Sequence, residues 1–281
     1  MGHRKDPISV EIERPLIILR GGGDLATGVA VRLHRCGFDI VVLEIEQPLA
    51  VRRRVAFAEA IYSGEIEVGG VRGVSVPDLD QISQLRSEGI VPVLVDPAAN
   101  LSTQIDVSAL VDGRMRKTPP EATQDSSIFT IGLGPGFTAG VNCNAVIETN
   151  RGHNMGRVIW QGSAEPNTKV PEAVTGFNVD RVLRAPVSGL LDGGKEIGSM
   201  MKAGDEIVRI GDVPVEAPFD GALRGLVHDG VHIEATAKIG DLDPRCEPSY
   251  CFSISDKSLA VGGGVLEALL SQPHLRRLLS G

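Results

Sequence analysis

The apolar run Pro15-Leu-Ile-Ile-Leu-Arg20 stops abruptly at Gly21-Gly-Gly-Asp24, and that junction constrains the fold more than any other feature of the chain. A run this short and apolar is too brief for a helix and reads as a strand buried on both faces. Past the glycines, Leu25, Val29 and Leu33 recur every fourth residue with Ala26 and Ala30 beside them. That spacing predicts a helix from Leu25 to Cys36 with one apolar face. Gly37 stands where a helix-terminating glycine belongs, and Ile40–Ile45 reads as a second buried strand. Strand, glycine loop, helix and strand make a βαβ unit, whose crossover is expected to be right-handed. Further strands are expected at Ile90–Val95, Val107–Val111, Ser127–Ile131 and Arg157–Trp160, with helices at 52–62 and 78–88. Residues 15–181 therefore read as a Rossmann-like α/β domain with a largely parallel sheet, preceded by a polar, flexible tail at 1–14.

The pattern changes near residue 182. Ala185-Pro-Val-Ser-Gly189 is echoed 32 residues later by Ala217-Pro-Phe-Asp-Gly221, and the same offset pairs Gly198 with Gly230. Ala203–Ile207 also resembles Lys238–Leu242, with a small shift. Two all-β units of about 30 residues cannot each bury a core alone, so they should pack on one another. The pattern over 182–245 looks like a barrel-sandwich hybrid domain of the biotinyl/lipoyl type. Carrier domains of that kind present a lysine at the hairpin joining their halves; here the join reads Ile210-Gly-Asp-Val-Pro-Val215, which points to packing or docking instead. Residues 246–281 form a C-terminal helical segment. Ser255 or Asp256 is placed to open its helix, and Gly262-Gly-Gly264 would cost that helix about 3 kcal/mol against alanine. Either the helix starts at Gly264, or something approaches its backbone closely.

Glycine is abundant, at 34 of 281 residues against an average of about 7%, and marks a chain of tight turns. A net charge of −8 argues against a nucleic-acid partner, which would require a broad basic face. No apolar run reaches the roughly 18 residues of a membrane span, and the first residues lack an apolar signal core. Four cysteines make no disulfide framework. The expected compartment is therefore cytoplasmic.

Gly21-x-Gly23-x-x-Ala26 joins a strand to a helix, where backbone amides can face a phosphate. Glu44, 21 residues after Gly23, stands where a ribose-binding acid would be. Asp24 would repel a pyrophosphate unless it caps the helix. The alternative is a glycine turn that merely tightens the βαβ unit. A second candidate is Gly132-Leu-Gly134-Pro-Gly136, a run able to form an anion-binding nest. Downstream of it, Arg151, His153 and Arg157 could clamp a phosphate or carboxylate, or line a solvated turn. Arg52-Arg53-Arg54 and Arg114-Met-Arg116-Lys117 read as solvated charge runs, with an anionic cofactor as the other possibility. No zinc motif is present, and His228 and His232 do not read as metal ligands, so no metal site is expected. Cys36 and Cys143 read as core. Cys251, expected near the N-terminus of the last helix, would have a lowered pKa there and is the one candidate catalytic residue.

Several of these runs together resemble the YqeB family. They are Ile18-Leu-Arg-Gly-Gly-Gly-Asp-Leu-Ala-Thr-Gly28, Arg32-Leu-His-Arg35, Glu44–Arg53, Gly134–Gly140, Glu148–Arg157, and Ile254-Ser-Asp-Lys257 through Gly262–Glu267. The resemblance runs collinearly over about residues 15–272. It implies an accessory or maturation protein for selenium-dependent molybdenum hydroxylases, with the apo-hydroxylase as partner. The cofactor would be molybdopterin-type, or another nucleotide, held as an anionic small molecule. In that reading Gly21 and Gly23 donate amides, Gly134 and Gly136 form a second nest, and Arg151, His153 and Arg157 neutralise phosphate. Cys251 would relay selenium or sulfur. The alternatives are an NAD(P)-dependent oxidoreductase using His153 as proton donor, and a non-catalytic docking scaffold. Assembly into a homo-oligomer is left open.

Overall fold

The computed structural model describes residues 14–120, 127–166 and 181–279; the tail expected at 1–14 lies outside these residues, apart from Arg14. In chain order the first unit comprises β1 (Leu16–Arg20), α1 (Asp24–Arg35), β2 (Asp39–Glu44), α2 (Ala60–Ser63), β3 (Glu65–Val68), β4 (Val71–Ser75), α3 (Ile82–Ser87) and β5 (Val91–Val95). It continues with β6 (Ala109–Asp112), β7 (Phe129–Leu133), β8 (Thr138–Ala139), β9 (Ala145–Ile147), β10 (Val158–Ile159) and β11 (Gly162–Ser163). Nine of these strands form one sheet in the order β10-β9-β7-β6-β1-β2-β5-β4-β3. All neighbours are parallel except the two outermost pairs, β9–β10 and β3–β4.

Alternation along the strands explains the layering. Ile17, Leu19, Ile40 and Val42 point to the face covered by α1, while Leu16, Ile18, Val41 and Leu43 point to the other, where Ile82 of α3 packs. The central strands are apolar on both faces because helices cover both. β1 sits mid-sheet, with Ile18 opposite Val41 of β2 on one side and Leu110 of β6 on the other. The chain thus runs outward from β1 through β2 and later returns to β1's other side at β6. Ligands collect beyond the carboxyl ends of strands at such a reversal.

The expected helix at 52–62 does not form. Single 3-10 turns at Arg53–Val55 and Phe57–Glu59 precede the four-residue α2. The backbone amides there are drawn into tertiary contacts: Phe57 N donates to Thr27 Oγ1 at 2.8 Å and Ala58 N to Gly22 O at 2.9 Å. The strand expected at Arg157–Trp160 shrinks to two residues, and the helix expected at 78–88 to six.

The second unit contains β12 (Val182–Arg184), β13 (Gly189–Asp192), β14 (Met200–Met201), β15 (Glu206–Ile210), β16 (Val213–Glu216), β17 (Gly221–Leu226), β18 (His232–Ile233) and β19 (Lys238–Asp243). They make two four-stranded antiparallel sheets, β12-β19-β17-β14 and β16-β15-β13-β18. The repeat seen in the sequence governs the hydrogen bonding. Gly198 N donates to Leu223 O, and Gly230 N to Leu191 O, both at 2.8 Å; Lys195 N donates to Ile207 O, and Val227 N to Ile239 O. Ala185 N likewise donates to Ala237 O, and Ala217 N to Asp205 O. Every such pair is related by the offset of 32. The expected alignment of Ala203–Ile207 with Lys238–Leu242 is therefore corrected: its structural equivalent is Ala235–Ile239. Each sheet takes two strands from each copy, so the equivalent residues Leu191 and Leu223, and Ile207 and Ile239, are all fully buried in one shared core.

The chain closes with α4 (Asp256–Leu270) and α5 (Pro273–Leu278). Ser255 caps α4, its Oγ accepting from Ser258 N. The helix runs straight through the three glycines, because the close approach and not the late start is what occurs. A Cβ on Gly28 of α1 would lie 2.4 Å from Ser258 Cβ, and one on Gly262 would lie 3.3 Å from Gly28 O. On another side of α4, a Cβ on Gly264 would lie 2.1 Å from Gly156 O. Glycines let α1 and α4 cross at backbone contact over the sheet. Among the described residues, no helix is long and apolar enough to cross a membrane.

Candidate functional site

A cleft of about 390 Å³ opens at the carboxyl ends of β1, β2, β5 and β6. Its lining includes Arg20, Gly21, Gly23, Asp24, Glu44, Pro48, Leu49, Gly113 and Arg114. Four sequence-derived candidates, Gly21, Gly23, Asp24 and Glu44, thus meet in one place. The three glycines of the loop differ in what requires them. Gly21 has φ +87°, a conformation open to glycine at little cost. Gly22 admits no side chain, because a Cβ would stand 2.8 Å from Ala58 N. Gly23 has ordinary φ (−63°) and nothing within 4 Å of its Cβ position. Neither packing nor backbone conformation accounts for it, and it faces the cleft.

Asp24 does not cap α1. Gly23 occupies the cap position with no side-chain hydrogen bond, and Asp24 is the first helical residue. Its carboxylate instead accepts from Arg52 Nη1 at 3.2 Å. That ion pair offsets the negative charge Asp24 would otherwise present beside the helix N-terminus. Glu44 closes β2 with both oxygens engaged: Gly22 N donates to Oε1 at 2.6 Å and Ile45 N to Oε2 at 2.9 Å. Burial raises the pKa of Glu44 from its ordinary value, while these two amides pull the other way. A carboxylate has about four lone-pair sites, so a ribose hydroxyl can still be accepted here.

Within the Arg52–Arg54 run, Arg52 and Arg53 do not form a solvated face. Arg52 is buried and also donates to the carbonyls of Tyr250 and Ser253, both at 3.1 Å. Arg53 donates to Leu226 O of β17 and pairs with Glu59, and Arg54 lies over the Phe252 ring. These residues join the sheet unit to the repeat unit and the C-terminal segment. Glu59 Oε1 also meets His228 Nδ1 at 3.0 Å, and His228 stacks flat on Tyr62. Tyr62 donates in turn to Pro48 O in the cleft wall.

Arg114, expected on a solvated charge run, lines the cleft as well, whereas Gly134, Gly136, Arg151, His153, Arg157 and Cys251 do not. Gly134 N donates to Ile147 O, and a Cβ on Gly136 would stand 2.5 Å from Arg116 O, so packing accounts for the glycine at 136. His153 and Arg157 are exposed on the turn after β9. Arg151 forms a bidentate pair with Asp256 at 2.5 and 2.8 Å, at the start of α4. Arg151 holds the Asp256 carboxyl far below its usual range. Stabilisation from a lowered carboxylate pKa is present above about pH 4 and is lost as pH falls below it. Arg151→Ala is therefore expected to cost at most about 1 kcal/mol at pH 7, since the pair is half-exposed, and less near pH 3. Urea unfolding at the two pH values measures this; an equal cost at both would refute it.

Cys251 is buried in the core of the repeat unit, on a 3-10 turn that ends five residues before α4 begins. Burial pushes its thiol pKa up, the reverse of the lowering expected beside a helix N-terminus. Cys143 is buried and its thiol is pushed up to about 11, whereas Cys36, expected in the core, is exposed. Among the described residues no group of three or more His, Cys, Asp or Glu side chains could hold a metal ion.

Arg20 and Asp112 were not singled out from the sequence. Arg20 ends β1 as a buried cation, donating to Pro97 O and lying 3.9 Å from Asp112, its register partner on β6. The available signal was a charged residue closing each of two apolar strands.

No family model matches the chain. It is 44% identical over 259 residues to the uncharacterized protein YqeB of Escherichia coli (strain K12), covering 92% of this chain and 48% of that protein. The chain thus spans about half the length of the curated relative it matches. That identity supports the family resemblance carried by the motifs. Among solved structures, the apo structure of the ectoine utilization protein EutE (DoeB) from Ruegeria pomeroyi aligns over 82% of this chain and 86% of that one, at 10% identity and a TM-score of 0.24. A likeness that weak carries no argument.

Proposed function

With the likeness to YqeB as premise, we propose that this chain is an accessory protein for molybdenum hydroxylase maturation. It holds a nucleotide or molybdopterin-type dinucleotide in the cleft beyond β1, β2 and β6, within a Rossmann-like unit. The observation that carries the binding reading is Gly23, a glycine with neither strain nor packing to require it, on the wall of a cleft at a helix N-terminus. Absence of a side chain there leaves room for a ligand phosphate to reach the backbone amides. Glu44 would accept a ribose hydroxyl. A pterin dinucleotide would bring its own metal-binding sulfurs, while the chain supplies recognition and shields the group until it reaches the apo-hydroxylase. In this reading the repeat unit, a barrel-sandwich hybrid without a carrier lysine, serves for docking.

The test is a thermal-shift panel of NAD, NADP, ATP, CTP and isolated molybdopterin cofactor on the wild type and on Gly23→Val. A ligand at a hundred times its Kd is expected to stabilise the wild type by about 2.7 kcal/mol, or about 5–10 °C in Tm. The variant is expected to melt a few degrees lower without ligand, because valine is a poorer N-cap than glycine, and to lose the shift. A pterin-selective shift supports maturation, and a nicotinamide-selective one supports the dehydrogenase alternative. Silence from every ligand, or a shift that survives in Gly23→Val, overturns the binding reading.

A further inference from the structure

We propose that Arg114, braced by the buried Asp112, is a second anion-binding group in this cleft, and that the ligand is therefore a diphosphate-bearing nucleotide in preference to a monophosphate. The inference rests on the nucleotide-binding reading and specifies which class of nucleotide the site takes.

β6 ends on Asp112, and the chain turns back at Gly113, so that Arg114 grips the same carboxylate with its backbone and its side chain. Arg114 N donates to Oδ1 at 3.2 Å, Nε lies 3.0 and 3.2 Å from the two oxygens, and Nη2 donates to Oδ2 at 2.6 Å. The guanidinium plane is fixed before any ligand arrives, which reduces the entropy lost on binding an anion. The turn is also fixed against the glycine loop. A Cβ on Gly113 would lie 2.8 Å from Ala26 Cβ of α1, and one on Gly21 would lie 3.2 Å from Arg114 Cγ. Glycine at 21 and 113 thus allows the Arg114 stem to rest on the loop that carries Gly23. Any side chain at 21 would push it away. Arg20 adds a second cation to the cleft floor, tied to the same Asp112. The glycine loop at the α1 N-terminus and Arg114 therefore border one cleft from two strands. A group with two linked phosphoryls can use both, whereas a single phosphoryl can use only one.

Isothermal titration of the full chain with inorganic pyrophosphate, orthophosphate, ADP, AMP and adenosine tests this on the wild type, Arg114→Gln and Arg114→Lys. Pyrophosphate is expected to bind the wild type at least about tenfold more tightly than orthophosphate, and ADP more tightly than AMP. Arg114→Gln is expected to erase the diphosphate preference and leave AMP nearly unchanged. Arg114→Lys keeps the charge without the fork and should fall between them. Circular dichroism melting confirms that both variants fold; were Arg114→Gln unfolded, Arg114→Lys would carry the test by itself. No diphosphate preference in the wild type, or a preference undiminished in a folded variant, overturns the assignment of Arg114 as an anion-binding group. If ADP and AMP bind equally and neither changes in the variant, that assignment falls while the nucleotide reading stands. If pyrophosphate binds through Arg114 and no nucleotide does, the nucleotide reading falls and the assignment stands.

Discussion

Gly264→Ala is expected to lower the melting temperature by about 5–10 °C, while Gly263→Ala, one residue earlier in the same helix, leaves it unchanged or raises it. A methyl group on Gly264 would stand 2.1 Å from Gly156 O and 3.0 Å from Ile147 Cγ2. The obstructing oxygen belongs to backbone, in a turn anchored by Gly156 N donating to Glu148 O, so a rotamer change cannot relieve it. Overpacking of this kind costs about 2–4 kcal/mol, and each kcal/mol shifts Tm by a few degrees in a chain of this size. At Gly263 the nearest atom is the far end of a flexible side chain, Arg32 Nη1, at 3.8 Å. There alanine gains up to about 1 kcal/mol of helix propensity. Differential scanning calorimetry of the two variants decides the matter. Equal destabilisation would mean that the glycines matter for something other than the contact of α4 with the turn after β9.

Removing Arg52 is the second large effect expected. Arg52→Ala takes away a buried guanidinium that ties Asp24 of α1 to the carbonyls of Tyr250 and Ser253. The partners are left short of donors, at a cost of about 2–4 kcal/mol. Arg54→Ala, two residues on, removes an exposed cation over the Phe252 ring and is expected to cost under about 1 kcal/mol. Urea unfolding midpoints separate the two. A mild Arg52→Ala would mean that the junction between the two units and the C-terminal segment is held by apolar packing and not by this arginine.

The Arg52–Arg54 case shows why part of the molecule was not legible beforehand. Three consecutive arginines give the same local pattern whether they face water or carbonyls some two hundred residues away. The failed helix at 52–62 has the same cause, since its amides are claimed by Gly22 and Thr27, residues distant in the chain. Cys251 was read from proximity to a helix start, but its chemistry follows from burial in a core assembled largely from the repeats. The candidate site divides similarly. Gly21, Gly23, Asp24 and Glu44 share a cleft because they lie on one strand–loop–helix–strand segment, where short connections permit few arrangements. Gly134, Gly136, Arg151, His153 and Arg157 follow strands elsewhere in the sheet, and no local rule placed them relative to that cleft.

The sequence by itself determined what depends on neighbours in the chain. That includes the strand–glycine–helix–strand opening, the helix stop at Gly37, a helix start at Ser255 or Asp256 and the repeat at an offset of 32. Each follows from backbone conformation, side-chain periodicity or repeated spacing, which act over a few residues or recur in register. Only the tertiary structure decided which glycines were needed for packing and which was left over, that Arg52 is a joint, and that Arg20, Asp112 and Arg114 border the cleft. Those outcomes depend on which atoms lie across a gap of 2 to 4 Å from residues far away in sequence, and burial and charge pairing are set there.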